Sequence, residues 1–593
     1  MLRRPEQGFA GCRSPSICCS RLPCESPKPM NWIDVAVLAL PALPLLSAAL
    51  IPLSTGGHPR RAARWSIGFT TFTLLVALAL LVQHLRGAEG QSLFVGVQSI
   101  GLLLDPLSLA MSVLVAGISL IVHVYSLNYM ADEPGYVRFF SLLDLMTATI
   151  LLMVSAGDLI TLLVAWFAVG QLLYFLLGHN TQREVTGRYA FWTFITYRLG
   201  DLPLVGAALL LVKAYGAWDL PTLFARVAAD PHLQLGGVAV VPVAALLVAL
   251  AAFARSAQFP LHIWLPYTMD GPTPVSALMH AGIVNAGGFL FNRFAPLLIH
   301  APDVLHLAFV VGLVTALLGS ALMLTQNDIK KSLGYSTMGQ MGFMIMECGL
   351  GAFSLAVYHL IAHGLFKATL FLGSGNVIGD TRRDDGVPAD DIYTFVVERR
   401  PLRAVKVPWL LAATITVLVP AVVLGLSHWL VAADFFHKQG AIVLLFFGWV
   451  TGAQVFFSIH KLPSENPWRS LTLIFLSFLI VVVGYTLIAH AFETFLYPDP
   501  VLRDATYAAA GINLLAFDLM IIFFTLVLVG AWLVTFYAQS LDLEGRQGTL
   551  WNAIYLNLYA LFSREFYISD IYTQMSHATV AASKRVNVWL RWV

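Results

Sequence analysis

Long apolar runs, one after another, are what most limits the shapes this chain can take. They centre on residues 33–52, 65–84, 105–127, 138–156, 158–178, 190–213, 238–255, 275–297, 304–325, 332–350, 352–377, 407–431, 441–460, 470–491 and 513–538. A helix needs about 20 mostly apolar residues to cross the hydrocarbon core of a bilayer. The runs therefore predict an all-α polytopic membrane protein of about 15 transmembrane helices. Charge content agrees. Only 11% of the 593 residues are charged and 58% are hydrophobic, with a mean hydropathy of +0.76. A soluble domain carries about 25% charged residues. The net charge of +2 gives no reason to expect a nucleic-acid partner.

Basic residues set the expected orientation, because they gather on the cytoplasmic side. With the N-terminus out and the C-terminus in, about sixteen loop Lys and Arg fall inside and about six outside. Arg3, Arg4, Arg13, Arg21 and Lys28 run against that rule. The expected division is therefore a poorly ordered leader or start-site artefact over 1–29, a membrane domain over 30–540, and a cytosolic or interfacial tail over 541–593. Cys12, Cys18, Cys19 and Cys24 have no His or Asp among them and fit no zinc spacing, so no metal is expected in this chain.

Charged side chains at bilayer depth cost roughly 2.5–3.5 kcal/mol each on insertion scales, so they mark function or internal pairing. Here they are Asp144, Arg255, His280, Lys330, His359, His363, Lys367, His428 and Asp518. His359, His363 and Lys367 repeat at i, i+4 and i+8 and so share one helix face. An imidazole passes protons and a desolvated lysine gives one up readily, so this face is a candidate proton relay. Pro260, Pro266, Pro272 and Pro274 interrupt the run from 238 to 297 and predict a broken helix there. Irregular backbone at membrane depth survives where it is enclosed in protein or lines a wet cavity.

Three stretches carry a resemblance. They are SAQFPLHIWLPYTMDGPTPVSALMHAG (Ser256–Gly282), NDIKKSLGYSTMGQMGFM (Asn327–Met344) and YHLIAHGLFKATLFLGSGNVI (Tyr358–Ile378). They resemble the proton-conducting membrane subunits of the complex I subunit L and Mrp antiporter family. The resemblance implies two inverted five-helix repeats with broken helices, over 134–300 and 301–465. It also implies a central relay. Arg255 stands where the broken-helix cation belongs, His280 on the next helix, Lys330 on the connecting helix, and His359, His363 and Lys367 in the centre. Arg198 and Asp201 match a structural pair. The sequence departs from the pattern at Phe167, which stands where the family's fifth-helix glutamate pairs with the broken-helix cation. Asp144 is the expected replacement carboxylate. His428 lies near the place of a missing second-repeat lysine.

Within that family, HAGIVNAGGFLFNRFAPL (His280–Leu297) and FITYRLGDLPL (Phe194–Leu204) are most similar to the DabB subunits of DAB inorganic-carbon accumulation complexes. That resemblance implies an inner-membrane subunit, not itself an enzyme. It would couple a proton or cation gradient to CO2/bicarbonate accumulation. The zinc would sit in a soluble partner of the DabA type. A complex I subunit L-type pump subunit and a Na⁺/H⁺ antiporter subunit are the alternatives. The loop Gly379–Lys406 and the aromatic tail from Tyr537 are expected to meet the partner.

Overall fold

The structure is a computed structural model. It describes residues 32–54, 58–87, 91–95, 100–180, 184–268, 271–326, 328–374, 409–431, 467–511 and most of 556–590. Its helices are α1 (Trp32–Ser54), α2 (Pro59–Leu85), α3 (Pro106–Tyr129), α4 (Tyr136–Val154), α5 (Leu159–Leu177), α6 (Glu184–Tyr215), α7 (Leu220–Ala229) and α8 (Val240–Arg255). Then come the short α9 (Trp264–Tyr267), α10 (Thr273–Leu278), α11 (Ala286–Arg293) and α12 (Ala295–Leu298). The long α13 (Pro302–Leu324), α14 (Ile329–Gly349) and α15 (Phe353–Ser374) follow, then α16 (Trp409–Val431), α17 (Pro467–Leu496), α18 (Pro500–Ala509) and the tail helix α19 (Ile568–Leu590).

Each expected span up to 407–431, and the one over 470–491, centres on a described helix, while 441–460 and 513–538 lie outside the described residues. Residues 1–29, the loop Gly379–Lys406 and Asp518 also lie outside them. Two small antiparallel hairpins add to the all-α expectation, Gln91–Val95 with Ile100–Leu104, and Gln234–Leu235 with Val238–Ala239. Among the described residues ten helices are long and apolar enough to cross a membrane. The chain is a multi-pass membrane protein. Although 21 residues long, α14 is not one of the ten, for it carries Lys330, Lys331, Gln340 and Glu347. Those polar groups are tolerable because α14 packs against α13, α15, α9 and α11 rather than facing lipid alone.

The proline-rich run breaks as expected, and further. After Arg255 the chain leaves α8, and the freed amide of Phe259 donates to Thr315 Oγ1 at 3.1 Å. From α10 the chain enters a π-helical turn, Met279–Ile283, before α11 resumes. Ser256 stitches the two breaks together. Its Oγ donates to the Val284 carbonyl at 2.6 Å and accepts from the Gly287 amide at 3.1 Å. Every residue of the stretch Thr273–Arg293 is buried. It is the axis of the bundle, not its lipid face.

Close helix approach sets the position of α14. A Cβ on Gly342 would lie 2.3 Å from the Ala316 backbone nitrogen, and one on Gly312 would lie 2.4 Å from that of Met346. Small residues let membrane helices pack backbone to backbone, where dispersion replaces the absent hydrophobic drive. The neighbours at these points are main-chain atoms and cannot swing away. Gly342→Val should therefore force α13 and α14 apart and destabilise the bundle by roughly 1–3 kcal/mol or more. A thermal unfolding scan of the detergent-purified protein should show a clear fall in Tm, with Gly373→Ala, whose Cβ meets nothing within 4 Å, as the silent control.

Candidate ion-conducting site

The face of α15 that carries His359, His363 and Lys367 is packed against α14. His359 Nδ1 lies 3.1 Å from Glu347 Oε1, and Nε2 lies 2.8 Å from Gln340 Oε1. With the amide oxygen facing it, the imidazole donates on both sides and is cationic beside a carboxylate. With the amide turned over, Gln340 donates instead and the neutral ring is equally satisfied. The position accommodates both states, which a proton carrier needs. One turn on, the His363 ring stands 6.3 Å from that of His359, edge to face, and neither of its nitrogens has a hydrogen-bond partner. One turn further, Lys367 is 1% exposed and its Nζ points at the Leu333 carbonyl, 3.4 Å away. His280, in the π-turn, stacks on Phe371 with ring centres 4.1 Å apart and lies within Coulombic reach of both Lys367 and His363. Five titratable groups thus form one row: Glu347, His359, His363, Lys367 and His280. From 359 to 367 the row rises about 12 Å, at about 1.5 Å per residue.

Glu347 was not legible as a member. It stands two residues before the end of α14 and reads as a helix-end carboxylate. Only the packing of α14 on α15 turns it inward. Its spacing in MECG carries no signal of its own, although a lone carboxylate in an apolar run was a hint.

The broken-helix cation has a different partner from the one expected. Arg255 Nη2 donates to Asp201 Oδ1 at 3.2 Å and to the Trp166 carbonyl at 2.7 Å. Asp201 Oδ2 in turn pairs with Arg198 Nη2 at 2.7 Å. Asp201 is thus shared by two guanidinium groups, and the pair with Arg198 is half of a larger cluster. Aromatic faces complete it: Tyr197 and Trp166 lie 4.1 and 4.4 Å from the Arg255 guanidinium, and Phe167 lies 3.7 Å from that of Arg198. Phe167 therefore covers a cation where a glutamate would have paired with one. Arginine keeps its proton, so this cluster is a fixed charge and not a relay step.

Asp144 does not supply the missing carboxylate for Arg255. It belongs to a separate buried network between the first four helices. His123 Nε2 lies 3.1 Å from Asp144 Oδ1, and Ser47 Oγ donates to Oδ2 at 2.7 Å. Both His123 and Asp144 are wholly buried. His123 Nδ1 sits 2.7 Å from the Ser119 carbonyl, which can only accept, so Nδ1 carries a proton. The sequence reading missed His123, which stands in an ordinary apolar helix and has no partner near it in the chain.

Polar groups also close both ends of the bundle. At one end Lys330 donates to Thr273 Oγ1 at 3.1 Å, and Thr273 meets the Tyr129 hydroxyl at 2.9 Å. Lys330 therefore lies at a face, not in the buried row. Tyr129 ends α3 and Asp105 caps its start, 24 residues away, so the two ends stand about 36 Å apart. At the Asp105 end Arg293 pairs with that carboxylate at 2.5 Å, beside Asn292, Tyr497 and a cavity of about 220 Å³. His428 lies on α16, but its side chain is outside the described residues. Part of the tail docks on its own membrane domain. Trp192 Nε1 donates to Ser576 Oγ at 2.7 Å, and Glu565 forms an ion pair with Lys331.

The sequence matches a known family. The model of the NADH:quinone oxidoreductase/Mrp antiporter transmembrane family matches residues 156–453, and that of the complex I chain 5 N-terminus matches 97–140. A protein named probable inorganic carbon transporter subunit DabB1, from Halothiobacillus neapolitanus, is 59% identical over 554 residues, which is 93% of this chain and 99% of that protein. The chain belongs to this family of transporter membrane subunits, on the DabB branch. The NAD(P)H-quinone oxidoreductase chain 5 of Synechocystis is 37% identical over 57% of this chain, but the match covers only 52% of that relative. The chain spans about half the length of the quinone-linked relatives. Among solved structures, one of the Mrp complex from Dietzia is similar with a TM-score of 0.59 and 25% identity, over 94% of this chain and 60% of that one. An archaeal membrane-bound sulfane sulfur reductase shares the fold, with a TM-score of 0.56 and 18% identity over 80% of this chain.

The Arg255 cluster and the Asp144 network make different predictions. Arg255→Met leaves Asp201 with Arg198 as its remaining partner, so the cost should fall below the roughly 3–5 kcal/mol of an uncompensated buried charge. Arg255→Lys keeps the charge and should retain much of the transport that Arg255→Met and Asp201→Asn lose, as read in a vesicle proton-uptake assay. In the other network, His123→Ala and Asp144→Asn should each lower Tm. Because both break the one contact they share, the double variant should lose less stability than the two single losses added together. Phe167→Glu should not restore Asp144→Asn, because position 167 faces Arg198.

Proposed function

We propose that this chain is the proton- or cation-conducting membrane subunit of an inorganic-carbon accumulation system of the inner membrane, acting with a soluble zinc-containing partner. The observation that carries the conducting role is the buried row of Glu347, His359, His363, Lys367 and His280. Titratable groups at that depth are expensive, and a packing stripe is built from apolar residues instead. The fixed Arg255–Asp201–Arg198 cluster beside them shapes the field without exchanging protons.

Carbon rather than quinone chemistry is supported by the relatives. The DabB1 protein matches along nearly its whole length, whereas the quinone-linked subunits match over about half of theirs. The drive is adequate in size. One proton falling through about 150 mV releases roughly 3.5 kcal/mol. At about 1.4 kcal/mol per decade, that holds a bicarbonate ratio of order 300-fold away from equilibrium. Hydration itself would be done by the partner, with this chain delivering the ion that makes it one-way.

The test is growth. In a host lacking carbonic anhydrase, this chain and its soluble partner together should restore growth at ambient CO2. An uncoupler should abolish that rescue. Lys367→Ala should abolish it too while the protein remains in the membrane at wild-type level, as checked by immunoblot. Growth of Lys367→Ala at the wild-type rate would remove the relay from the reading, and rescue by this chain alone would remove the partner.

A further inference from the structure

We propose that Glu565, carried by the C-terminal tail, is the group through which protons pass between the aqueous face and the bundle. The tail would then be part of the ion path. This rests on the conducting role proposed above.

Glu565 is 1% exposed although it lies in a tail segment far along the chain from the residues it touches. Its carboxylate pairs with Lys331 and accepts from the Tyr267 hydroxyl at 2.8 Å, while Lys331 donates to the same hydroxyl at 3.3 Å. Those partners come from α14 and from α9, the short helix inside the break that follows Arg255. Glu565, Phe566 and Tyr567 have φ values of +55°, +55° and +60°. Three successive non-glycine residues in the left-handed region are disfavoured, and here the turn they form aims the carboxylate inward while Phe566 packs edge-on to Phe259. The tail is held from behind as well, where Trp192 bonds Ser576 and Thr196 meets Tyr572.

What lies behind Glu565 is titratable, not apolar. The Tyr335 hydroxyl is buried and stands against the same carboxylate. The His262 ring lies 6.4 Å from that of Tyr335 and is wholly buried. A clamp that only fastened a tail would not need buried proton-carrying side chains in line behind it. On the aqueous side Lys331 keeps partial exposure, its side chain being 20% accessible against 2% for Glu565. The arrangement is a carboxylate between water and a buried titratable interior, steadied by one cation and two phenols.

The experiment uses the full-length chain in phosphatidylethanolamine–phosphatidylglycerol liposomes with a trapped pH dye and an imposed potassium diffusion potential. Glu565→Gln keeps the size of the side chain and its acceptor for Tyr267 but cannot take up a proton. It should lower the initial proton flux at least tenfold and flatten the dependence of flux on the pH at the tail face. Trypsin protection of the tail should be unchanged. Lys331→Met should displace that pH dependence rather than erase it. Flux in Glu565→Gln within twofold of wild type, with the same pH profile, overturns the proposal. So does a loss of flux that comes with a trypsin-sensitive tail and an unchanged profile in what remains, which is the mark of a clamp. Lys367→Ala is the reference. If it is silent while Glu565→Gln conducts normally, only this inference falls. If wild type conducts no better than Lys367→Ala, the conducting role falls and takes this inference with it.

Discussion

A bilayer offers no water to a buried polar group, so each charge inside this bundle must be answered by another part of the chain. The rest of the architecture follows from that. Arg255 is answered by Asp201 and the Trp166 carbonyl, His123 by Asp144, and His359 by Glu347 and Gln340. None of these partners is on the helix of the group it satisfies. The helices must therefore be assembled before any of these charges is tolerable, and close glycine contacts between α13 and α14 bring the α14 partners to where α15 needs them.

The charged groups fall into two kinds, and the chemistry of the side chains separates them. Arginines form the clusters with carboxylates and ring faces, as in Arg198–Asp201–Arg255 and Arg293–Asp105. They set the field and do not let go of protons. Histidines, a lysine and a glutamate form the row along α14 and α15, with fewer partners and, at His363, none on either nitrogen. A fully satisfied network is rigid, while an under-satisfied titratable one has room to change state. The broken segment from Ser256 to Asn285 begins next to Arg255 and carries His280 of the row. There the prolines and the π-turn replace regular backbone with side-chain bonds such as Ser256 to Val284.

Much of this was legible in the chain. Apolar run length located the long helices of the membrane domain, though not α7, α18 or the tail helix α19, and four prolines located the break. The i, i+4, i+8 spacing put His359, His363 and Lys367 on one face. What failed was pairing across helices. Phe167 suggested a missing carboxylate, and Asp144 was the nearest acidic residue at membrane depth, but Asp144 is consumed by His123 and Ser47. Asp201 was identified as half of an i, i+3 pair with Arg198, and its second partner could not be inferred from spacing. Lys330 was placed in the relay, yet its bond to Thr273 holds it at a face.

The sequence by itself determined that this chain lives in a membrane, where its long apolar helices run, where one of them breaks and that His359, His363 and Lys367 share one helix face. Each of these follows from local composition, because the bilayer sets a length and an energy that every segment meets on its own. Only the tertiary structure decided which charges meet. Glu347 faces His359, Asp201 bridges two arginines, and Glu565 reaches back across the chain to Lys331. Hydrogen bonds and ion pairs act over a few ångströms, and residues hundreds of positions apart come within that range only after the helices have packed.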